Sequence, residues 1–311
     1  MIPKFPQFKN LELSDKKDVE KFTSQFPPYS DFNFVSMWSW DIKGEMRISQ
    51  LHSNLVVRFT DYLSGKPFYS FLGNNKVNET VEQLLKLAKR SGFPLQLKLI
   101  PEDFIKEVNL SKFKVEEDRN HFDYIFSIDN LVNYPGSNFQ KHRNKVRRFE
   151  RKHQFEILNL SLVSKINQKL LLDLVQSWID QRKAKVNTKN TEDYLQMEDL
   201  ENEFIAFNKL LSAPDTFLEP LVCSALFVNG NLSGFIVNEK ISENYCLAHF
   251  GKADIKYDGI YHFLMQKNAK VCSGLGAIYL NHEQDLGFKN LRFSKEGYCP
   301  AHFLKKYTIA L

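Results

Sequence analysis

The order of predicted helices and strands in the second half of the chain constrains the fold more than any other feature. Two apolar strands, residues 222–228 and 234–241, flank an Asn-Gly pair that is typical of a two-residue hairpin turn. A third strand is predicted at residues 245–251, and a helix that begins at Gly259 leads to a further strand at residues 277–280. Three meandering strands, a helix and a strand predict a domain of mixed α/β structure.

Two helices are predicted before these strands, and a weaker mixed pattern fills the first half. Apolar residues recur every four positions over residues 165–182, which predicts a helix, and a second helix is predicted over residues 191–211. The recurring apolar residues are Ile166, Leu170, Leu174 and Trp178. In the first half, helices are predicted at residues 14–26 and from a cap at Asn78 to residue 90, with strands within residues 46–60, 68–72, 95–100 and 124–128.

The composition is that of a globular protein. Hydrophobic residues make up 43% of the 311 residues and charged residues 25%. No stretch approaches the roughly 18 consecutive apolar residues of a membrane-spanning helix. The N-terminal residues lack the apolar core of a signal peptide. We therefore predict a cytoplasmic protein.

The cysteines and histidines follow no metal-binding or catalytic spacing. No two cysteines form a CxxC pair, so we expect reduced thiols in the core. His282 and His302 are too isolated to predict a zinc site, and no P-loop or Ser-His-Asp order occurs. We therefore expect no metal ion, and no cofactor is certain. The cysteines are Cys223, Cys246, Cys272 and Cys299.

A single segment holds the excess positive charge of the chain. Between residues 139 and 153, seven cations and one anion give a net charge of +6, whereas the whole chain carries +5. As a helix, this segment places Phe139, Val146 and Phe149 on one stripe and spreads the cations over the other side. The cations are Lys141, Arg143, Lys145, Arg147, Arg148, Arg151 and Lys152.

Two interpretations of this basic helix remain open. It could be a solvated surface that keeps the protein soluble, or a surface for a polyanion such as tRNA or an anionic head group. Arg143, Arg147 and Arg151 follow one another at i,i+4, where like charges cost some helix stability. A bound polyanion would offset that cost.

The predicted strand at 277–280 ends in a run of polar residues, Asn-His-Glu-Gln-Asp, at positions 281–285. In an extended chain Glu283 and Asp285 point to one side, and Arg292 and Lys295 share one face of a short following helix. In one interpretation the two acids bind the two cations and lock the C-terminal segment. In the other, the cluster lines a pocket at the strand end, where one carboxylate is a general base and a cation binds an anionic group.

Two residues of the third strand are further candidates. His249 lies inside an apolar strand, so it is either a hydrogen-bonded core residue or a catalytic residue. Lys252 lies at the strand exit, where it could contact a terminal phosphate of a substrate. The following loop, residues 252–260, has a single glycine and two aspartates. It offers few free backbone N–H groups for a pyrophosphate, which disfavours acyl-CoA as the donor.

Several of these segments together resemble the soluble family related to the C-terminal domain of phosphatidylglycerol lysyltransferases. The segments are residues 28–31, 141–149, His249 with Lys252, residues 257–261, residues 281–287, and Leu291 to Pro300. The resemblance implies two tandem domains of the GNAT acyltransferase type. These would be an N-terminal domain at 1–135, the basic connecting helix at 136–153 and a C-terminal domain at 154–311.

The resemblance also implies a function. The lysyltransferases take an aminoacyl group from tRNA and place it on a lipid hydroxyl, whereas the Glu-Gln-Asp triplet is typical of the soluble relatives. We therefore expect transfer from aminoacyl-tRNA to an amine or hydroxyl acceptor. An acyl-CoA-dependent N-acyltransferase and a non-catalytic module for RNA or an anionic surface are the alternatives. The candidate catalytic residues are Glu283, Asp285 and His249, and the candidate substrate-binding residues are Lys252, Gly259, Tyr261, Asn281, Arg292, Lys295 and Tyr298.

Overall fold

The computed structural model describes residues 1–61, 64–184 and 191–311, and in the helix that begins at Thr191 it describes the side chains from Leu200 onward. These residues form two compact units. The first consists of residues 1–123, 284–287 and 303–311, and the second of residues 124–283 and 288–302. The chain therefore passes from one unit to the other more than once.

Both units contain helices and strands, and all bounds follow in chain order. The strands are β1 (Lys9–Asn10), β2 (Arg47–Leu51), β3 (Asn54–Thr60), β4 (Pro67–Leu72), β5 (Gln96–Pro101), β6 (Lys114–Glu117), β7 (Asp123–Ser127), β8 (Phe155–Leu160), β9 (Leu221–Val228), β10 (Asn231–Lys240), β11 (Tyr245–Ala253), β12 (Tyr279–Asn281), β13 (His302–Leu304) and β14 (Lys306–Ala310). The helices are α1 (Lys16–Thr23), α2 (Phe34–Trp40), α3 (Val77–Arg90), α4 (Glu102–Ile105), α5 (Ile128–Asn133), α6 (Gln140–Lys152), α7 (Lys165–Lys183), α8 (Thr191–Leu211), α9 (Asp215–Leu218), α10 (Ile260–Gly274) and α11 (Lys289–Glu296). None of the described helices is long and apolar enough to cross a membrane.

The first unit is built on a mixed sheet with the strand order β1-β2-β3-β4-β5-β14-β6. β4 and β5 are parallel, and the remaining neighbours are antiparallel. The C-terminal strand β14 lies between β5 and β6, with Lys306 opposite Pro101 and Tyr307 opposite Glu117. The last residues of the chain thus complete the sheet of the first unit.

Local sequence signals account for the turns and caps of this unit. β2 and β3 are joined by a tight turn in which His52 and Ser53 both have positive φ angles, 52° and 66°. Helix α3 begins earlier than predicted, after an N-cap at Lys76. Asn78 has another role: its side chain donates to the Glu107 carbonyl at 2.9 Å and accepts from the Asn109 N–H at 2.7 Å. Asn78 therefore does not cap α3 but connects the helix to the loop that contains Glu107 and Asn109.

The sheet of the second unit has the strand order β7-β12-β11-β10-β9-β8. β9, β10 and β11 form the predicted antiparallel meander, with positive φ angles at Asn229 and Gly230 in the first turn. Helix α10 connects β11 to β12, which pair in parallel. The order deduced from the sequence is confirmed, and both sheets are mixed.

Helix α7 shows how the predicted apolar stripe drifts around the helix. Leu174 and Trp178 are buried, whereas Ile166 is 76% exposed and Leu170 is 41% exposed. A strict four-residue spacing rotates relative to the 3.6-residue turn. The buried face therefore continues through Leu171 rather than through Leu170.

The compact units differ in extent from the predicted domains at 1–135 and 154–311. The first segment of the first unit ends at residue 123, because the next residues lie in β7, which pairs with β12 of the second unit. The basic helix α6 lies within the second unit, where Phe149 stacks on Phe263 of α10 with ring centroids 4.5 Å apart. The arrangement of two tandem domains joined by the basic helix stays a prediction.

Candidate functional site

The parallel strands β11 and β12 stay together for only a short distance. Residues 245–247 pair with residues 279–281, and β11 then continues to Ala253 along β10. Among the described strands, none pairs with this last part of β11 on the β12 side. An opening therefore forms at the carboxyl ends of two parallel strands, the usual position of ligands in α/β sheets.

Five side chains converge beside this opening, and we call them the gap cluster: Trp178, Arg182, Glu203, Lys252 and Tyr261. The Lys252 ammonium lies 4.5 Å from the centre of the Trp178 ring, and the Arg182 guanidinium lies 5.0 Å from it. Lys252 also donates to the Glu203 carboxylate at 2.6 Å. The indole holds two cations in place by cation–π attraction, and one carboxylate faces them.

Tyr261 adds a proton donor to the gap cluster. Burial of its hydroxyl raises the pKa of the phenol, because the charged form loses solvation, while the charges of Lys252 and Arg182 act in the opposite direction. The phenol therefore stays protonated at neutral pH. The residue as a whole is 38% exposed, so part of Tyr261 is accessible from outside although its hydroxyl is buried.

His282 follows β12 and is an uncharged neighbour of the cluster. Burial, together with the charges of Lys295 and Lys252, lowers its pKa to about 3. Lys295 is buried and donates to the His282 carbonyl at 2.6 Å. Lys295 therefore supports the backbone after β12, and the imidazole is neutral near pH 7.

Asn281 and Glu283 shape the turn that follows β12. Asn281 is fully buried, and its side-chain oxygen accepts the Glu283 N–H at 2.8 Å. Glu283 has a φ angle of 55°, which is uncommon for a residue with a side chain. Its carbonyl accepts the Tyr124 N–H at 3.0 Å. These hydrogen bonds of Asn281 and Glu283 hold the backbone of the turn in place.

Asp285 lies in the first unit and is fully buried. Its carboxylate accepts the Arg119 guanidinium at 3.1 Å and the Gly287 N–H at 2.8 Å. Gly287 has a φ angle of 82°, and a Cβ there would lie 2.9 Å from the Asn120 side chain. This geometry supports the structural interpretation of Asp285, with Arg119 as a partner that the sequence reasoning did not name. Arg292 is half-buried in α11.

His249 has a structural setting as well. It is the extra residue of a bulge, because Val237 pairs with Phe250 and Asn238 pairs with Ala248. Its ring nitrogen Nε2 lies 3.2 Å from the Glu239 carboxylate, and both residues are buried. The interpretation as a hydrogen-bonded core histidine is therefore supported.

A second ionic cluster, which the sequence reasoning missed, lies in the first unit. Lys306 is fully buried and binds the carboxylates of Asp31 and Asp123, at 2.7 Å for Asp123. Ser30 donates to Asp123 through its hydroxyl at 2.6 Å and its N–H at 2.7 Å. Gln284 contacts both Lys306 and Asp31. The available signal in the sequence was a lysine pair, Lys305 and Lys306, at the start of an apolar C-terminal segment.

We call these five residues the closed lysine cluster: Ser30, Asp31, Asp123, Gln284 and Lys306. Burial alone would lower the pKa of Lys306, but the charges and hydrogen bonds of Asp123 and Asp31 outweigh it, and the pKa is raised. The lysine is therefore charged and satisfied, as buried cations must be. The cluster joins segments 30–31, 123, 284 and 306 within the first unit.

Helix α6 covers the N-terminus of α10. Gly259 caps α10 with a φ angle of 86°, and a Cβ there would lie 3.2 Å from the Lys145 carbonyl oxygen. Lys145 and Arg148 both bind the Asp258 carboxylate, at 3.2 Å for Arg148. A carbonyl of α6 thus lies close to the capping glycine at the helix end where N–H groups could bind a pyrophosphate, and the acidic Asp258 precedes that glycine.

The cations of the basic helix divide into two groups. Arg143 donates to the carbonyls of Tyr134 and Gly136, so it is structural. Within the described part of the chain, four cations of α6 have no ion pair: Lys141, Arg147, Arg151 and Lys152. The N-terminal part of α6 also lines an open depression of about 480 Å³ with polar side chains. The surface interpretation thus concerns four exposed cations rather than seven.

Tyr298 belongs to a packed aromatic group. Its hydroxyl lies 3.1 Å from Nδ1 of His262, and its ring centre lies 4.7 Å from that of His142. Burial lowers the pKa of His262 to about 4, and the nearby His142 contributes. Tyr298 itself is buried. Among the described residues, no group of three or more His, Cys, Asp or Glu side chains could hold a metal ion.

Solved structures are similar to this chain over nearly its whole length. A conserved protein of unknown function from Bacteroides thetaiotaomicron has 24% identity and a TM-score of 0.79, with 100% of both chains covered. The C-terminal domain of a protein assigned as a lysylphosphatidylglycerol synthetase, from Agrobacterium fabrum, has 13% identity and a TM-score of 0.61, with 94% of this chain and 91% of that chain covered. The L-PGS structure from Bacillus licheniformis has 13% identity and a TM-score of 0.60, with 100% of this chain and 93% of that chain covered. These similarities show a shared fold.

The search of curated proteins gave no match. The family model described as phosphatidylglycerol lysyltransferase, C-terminal, matches residues 24–310. The match extends over both compact units, and it confirms the resemblance seen in the sequence. The chain belongs to the family of phosphatidylglycerol lysyltransferase C-terminal domains.

Proposed function

We propose that this protein is an acyltransferase that moves an aminoacyl group from aminoacyl-tRNA, or a similar activated donor, to an amine or hydroxyl acceptor. The family description, which names a lysyltransferase, supports acyl transfer as the reaction class. The observation that carries the proposal is the gap cluster, where a protonated phenol, a carboxylate and two cations converge at an opened strand pair.

The gap cluster has a group for each requirement of the reaction. The amine or hydroxyl of the acceptor attacks the ester carbonyl carbon, and its proton passes to Glu203. Lys252 stabilises the negative charge that develops on the carbonyl oxygen. The bond between the carbonyl carbon and the ribose oxygen then breaks, and the leaving oxygen takes the Tyr261 proton. Proton exchange with water restores both side chains.

The surface of α6 supports a polyanionic donor. Its four exposed cations without an ion pair in the described part of the chain offer contacts to phosphates. The Lys145 carbonyl and Asp258 at the N-terminus of α10 disfavour a pyrophosphate at that position. Both features favour tRNA over acyl-CoA.

The proposal is tested by incubating the full chain with radiolabelled aminoacyl-tRNA and a cell extract that supplies acceptors. The parent protein should accelerate loss of the aminoacyl ester. Tyr261→Phe should slow this loss by about 10²-fold, because the leaving oxygen lacks its proton donor. Tyr257→Phe is the matched control, since Tyr257 lies outside the gap cluster and packs on His153.

The alternatives predict other outcomes. Heat released on titration with acetyl-CoA, without loss of aminoacyl ester, would favour an acyl-CoA-dependent enzyme. Salt-sensitive tRNA binding without either signal would favour a non-catalytic module. Equal rates for the parent protein and Tyr261→Phe would contradict the role assigned to the phenol.

A further inference from the structure

We infer that the gap cluster selects donors whose aminoacyl side chain is uncharged or acidic, and that it disfavours a lysyl or arginyl group. This inference rests on the proposed function, because it concerns the acyl group that the gap cluster receives. It disfavours a lysyl group as the acyl group of the donor, although the family description names a lysyltransferase.

The first argument is the sign of the charge around the opening. Two cations lie beside the opening, because Lys252 and Arg182 are held against the Trp178 ring at 4.5 and 5.0 Å. Burial lowers the pKa of the nearby His282, and the charges of Lys295 and Lys252 lower it as well. These described cations oppose a further positive charge beside them.

The second argument is the number of carboxylates. Every aminoacyl ester can carry an ammonium group on its α-carbon, and a lysyl ester carries a second one on its side chain. Glu203 is the carboxylate of the gap cluster, and Lys252 already binds it at 2.6 Å. It can compensate one ammonium group. Among the described residues, the nearby Asp254 and Glu239 are bound to Lys256 and His249.

The third argument is that Lys252 cannot simply move away. Its ammonium gains cation–π attraction from Trp178, which is buried, and its side chain is only 13% exposed. A lysyl side chain would therefore meet a fixed like charge in a partly desolvated site, where Coulomb repulsion is stronger than in water. A hydrocarbon side chain of the same length would not.

The test uses binding, so it needs no acceptor. The probes are 3′-aminoacylamino-3′-deoxyadenosines, amide analogues of an aminoacylated tRNA end, that carry lysine, norleucine or glutamate. Norleucine has the same four-carbon side chain as lysine without the ammonium. Calorimetry with the full chain should give a Kd for the norleucine analogue that is at least about tenfold lower than for the lysine analogue. The glutamate analogue should bind at least as well as norleucine.

Matched variants identify the cause. In Lys252→Gln with Arg182→Gln, the preference for norleucine over lysine should fall to less than about threefold. Lys169→Gln with Lys270→Gln removes two exposed cations of the same unit, outside the gap cluster, and should keep the preference. Equal affinities for lysine and norleucine in the parent protein would overturn the inference and leave the proposed function standing. A preference that survives loss of Lys252 and Arg182 would also overturn it. If none of the analogues binds, both this inference and the proposed donor fail.

Discussion

Lys306 in the first unit and Lys252 in the second unit both bind carboxylates, but their surroundings differ. Lys306 lies between Asp31 and Asp123, and all three side chains are at most 1% exposed. Lys252 binds Glu203, with side-chain exposures of 13% and 18% in the ion pair, and lies near the partly exposed Tyr261. In the closed lysine cluster, two carboxylates bind the buried cation. The gap cluster opens toward solvent.

Burial therefore distinguishes a structural cluster from a candidate functional cluster better than residue type does. Both clusters pair a lysine with an acid, yet the ion pairs of the closed lysine cluster are almost completely buried, and the cluster ties four chain segments together. The gap cluster keeps a protonated phenol and an exposed guanidinium at the end of two parallel strands. Ionisable groups at such a position are candidates for chemistry. Four measurements test this distinction between closed and open ionic groups.

The largest effect is expected for Lys306→Met. Removing the cation leaves Asp31 and Asp123 buried without their partner, and loss of one member of a buried ion pair costs about 3–5 kcal/mol. Lys252→Met should lower the free energy of unfolding by only about 1–2 kcal/mol, because Glu203 keeps some solvent contact. Urea unfolding of the two variants measures both values. Similar losses would break the distinction between a closed and an open cluster.

A smaller effect is expected where the predicted polar run divides between the two units. Asp285→Asn should cost about 1–3 kcal/mol of stability, because Arg119 and the Gly287 N–H lose a charged acceptor. Glu283→Gln should lower the free energy of unfolding less than Asp285→Asn does, because the glutamine keeps the backbone hydrogen bonds to Asn281 and Tyr124. Thermal unfolding compares the two. A larger loss for Glu283→Gln would reverse the structural assignment.

The buried histidine beside Tyr298 should make stability depend on pH. The pKa of His262 is about 4 in the folded protein against an ordinary value of 6.5, so the unfolded chain takes up a proton first as the pH falls. The stabilisation is present above pH 6.5 and is lost between pH 6.5 and 4. Replacing His262 with Gln should reduce the slope of unfolding free energy against pH by up to about 1.4 kcal/mol per unit in that range. Above pH 7 the two slopes should coincide, and a difference there would contradict the assignment.

The smallest effect concerns the exposed cations of α6. Replacing Arg147, Arg151 and Lys152 with Gln should flatten the log–log salt dependence of tRNA binding by about two units, since each phosphate contact contributes roughly 0.7 to 0.9. Arg143 is left intact because it holds the Tyr134 and Gly136 carbonyls. Filter binding across a salt series measures the slope. The control replaces Lys86, Lys89 and Arg90, three exposed cations of α3, and identical slopes in all proteins would return α6 to a solvated surface.

Much of the second unit was predictable because its signals are local. The Asn-Gly turn, the glycine before α10 and the apolar strands each depend on a few neighbouring residues. The basic helix was predictable for the same reason, including the buried stripe of Phe139, Val146 and Phe149. Its division into structural and exposed cations was not, since Arg143 and Asp258 meet their partners through folding.

The candidate site shows the limit of local signals. Lys252 and Tyr261 were selected from the sequence, whereas Trp178, Arg182 and Glu203 come from helices α7 and α8 and joined them only in the folded unit. The structure also pairs Asp285 with Arg119, which is far away in the chain and was not named from the sequence. Ion pairs between distant segments leave no signal in a short stretch of sequence.

Short segments of the amino-acid sequence were enough to predict the meander of the second unit, the charged helix and the resemblance to the family, because periodicity, turn residues and motifs are local properties. Tertiary structure decided which ionisable groups are closed and which are open. It brought Lys306 to Asp31 and Asp123 from opposite ends of the chain, and it ended the pairing of β11 with β12 beside Lys252. Burial and charge pairing depend on the packing of distant segments, and that packing gives two similar sets of residues different roles.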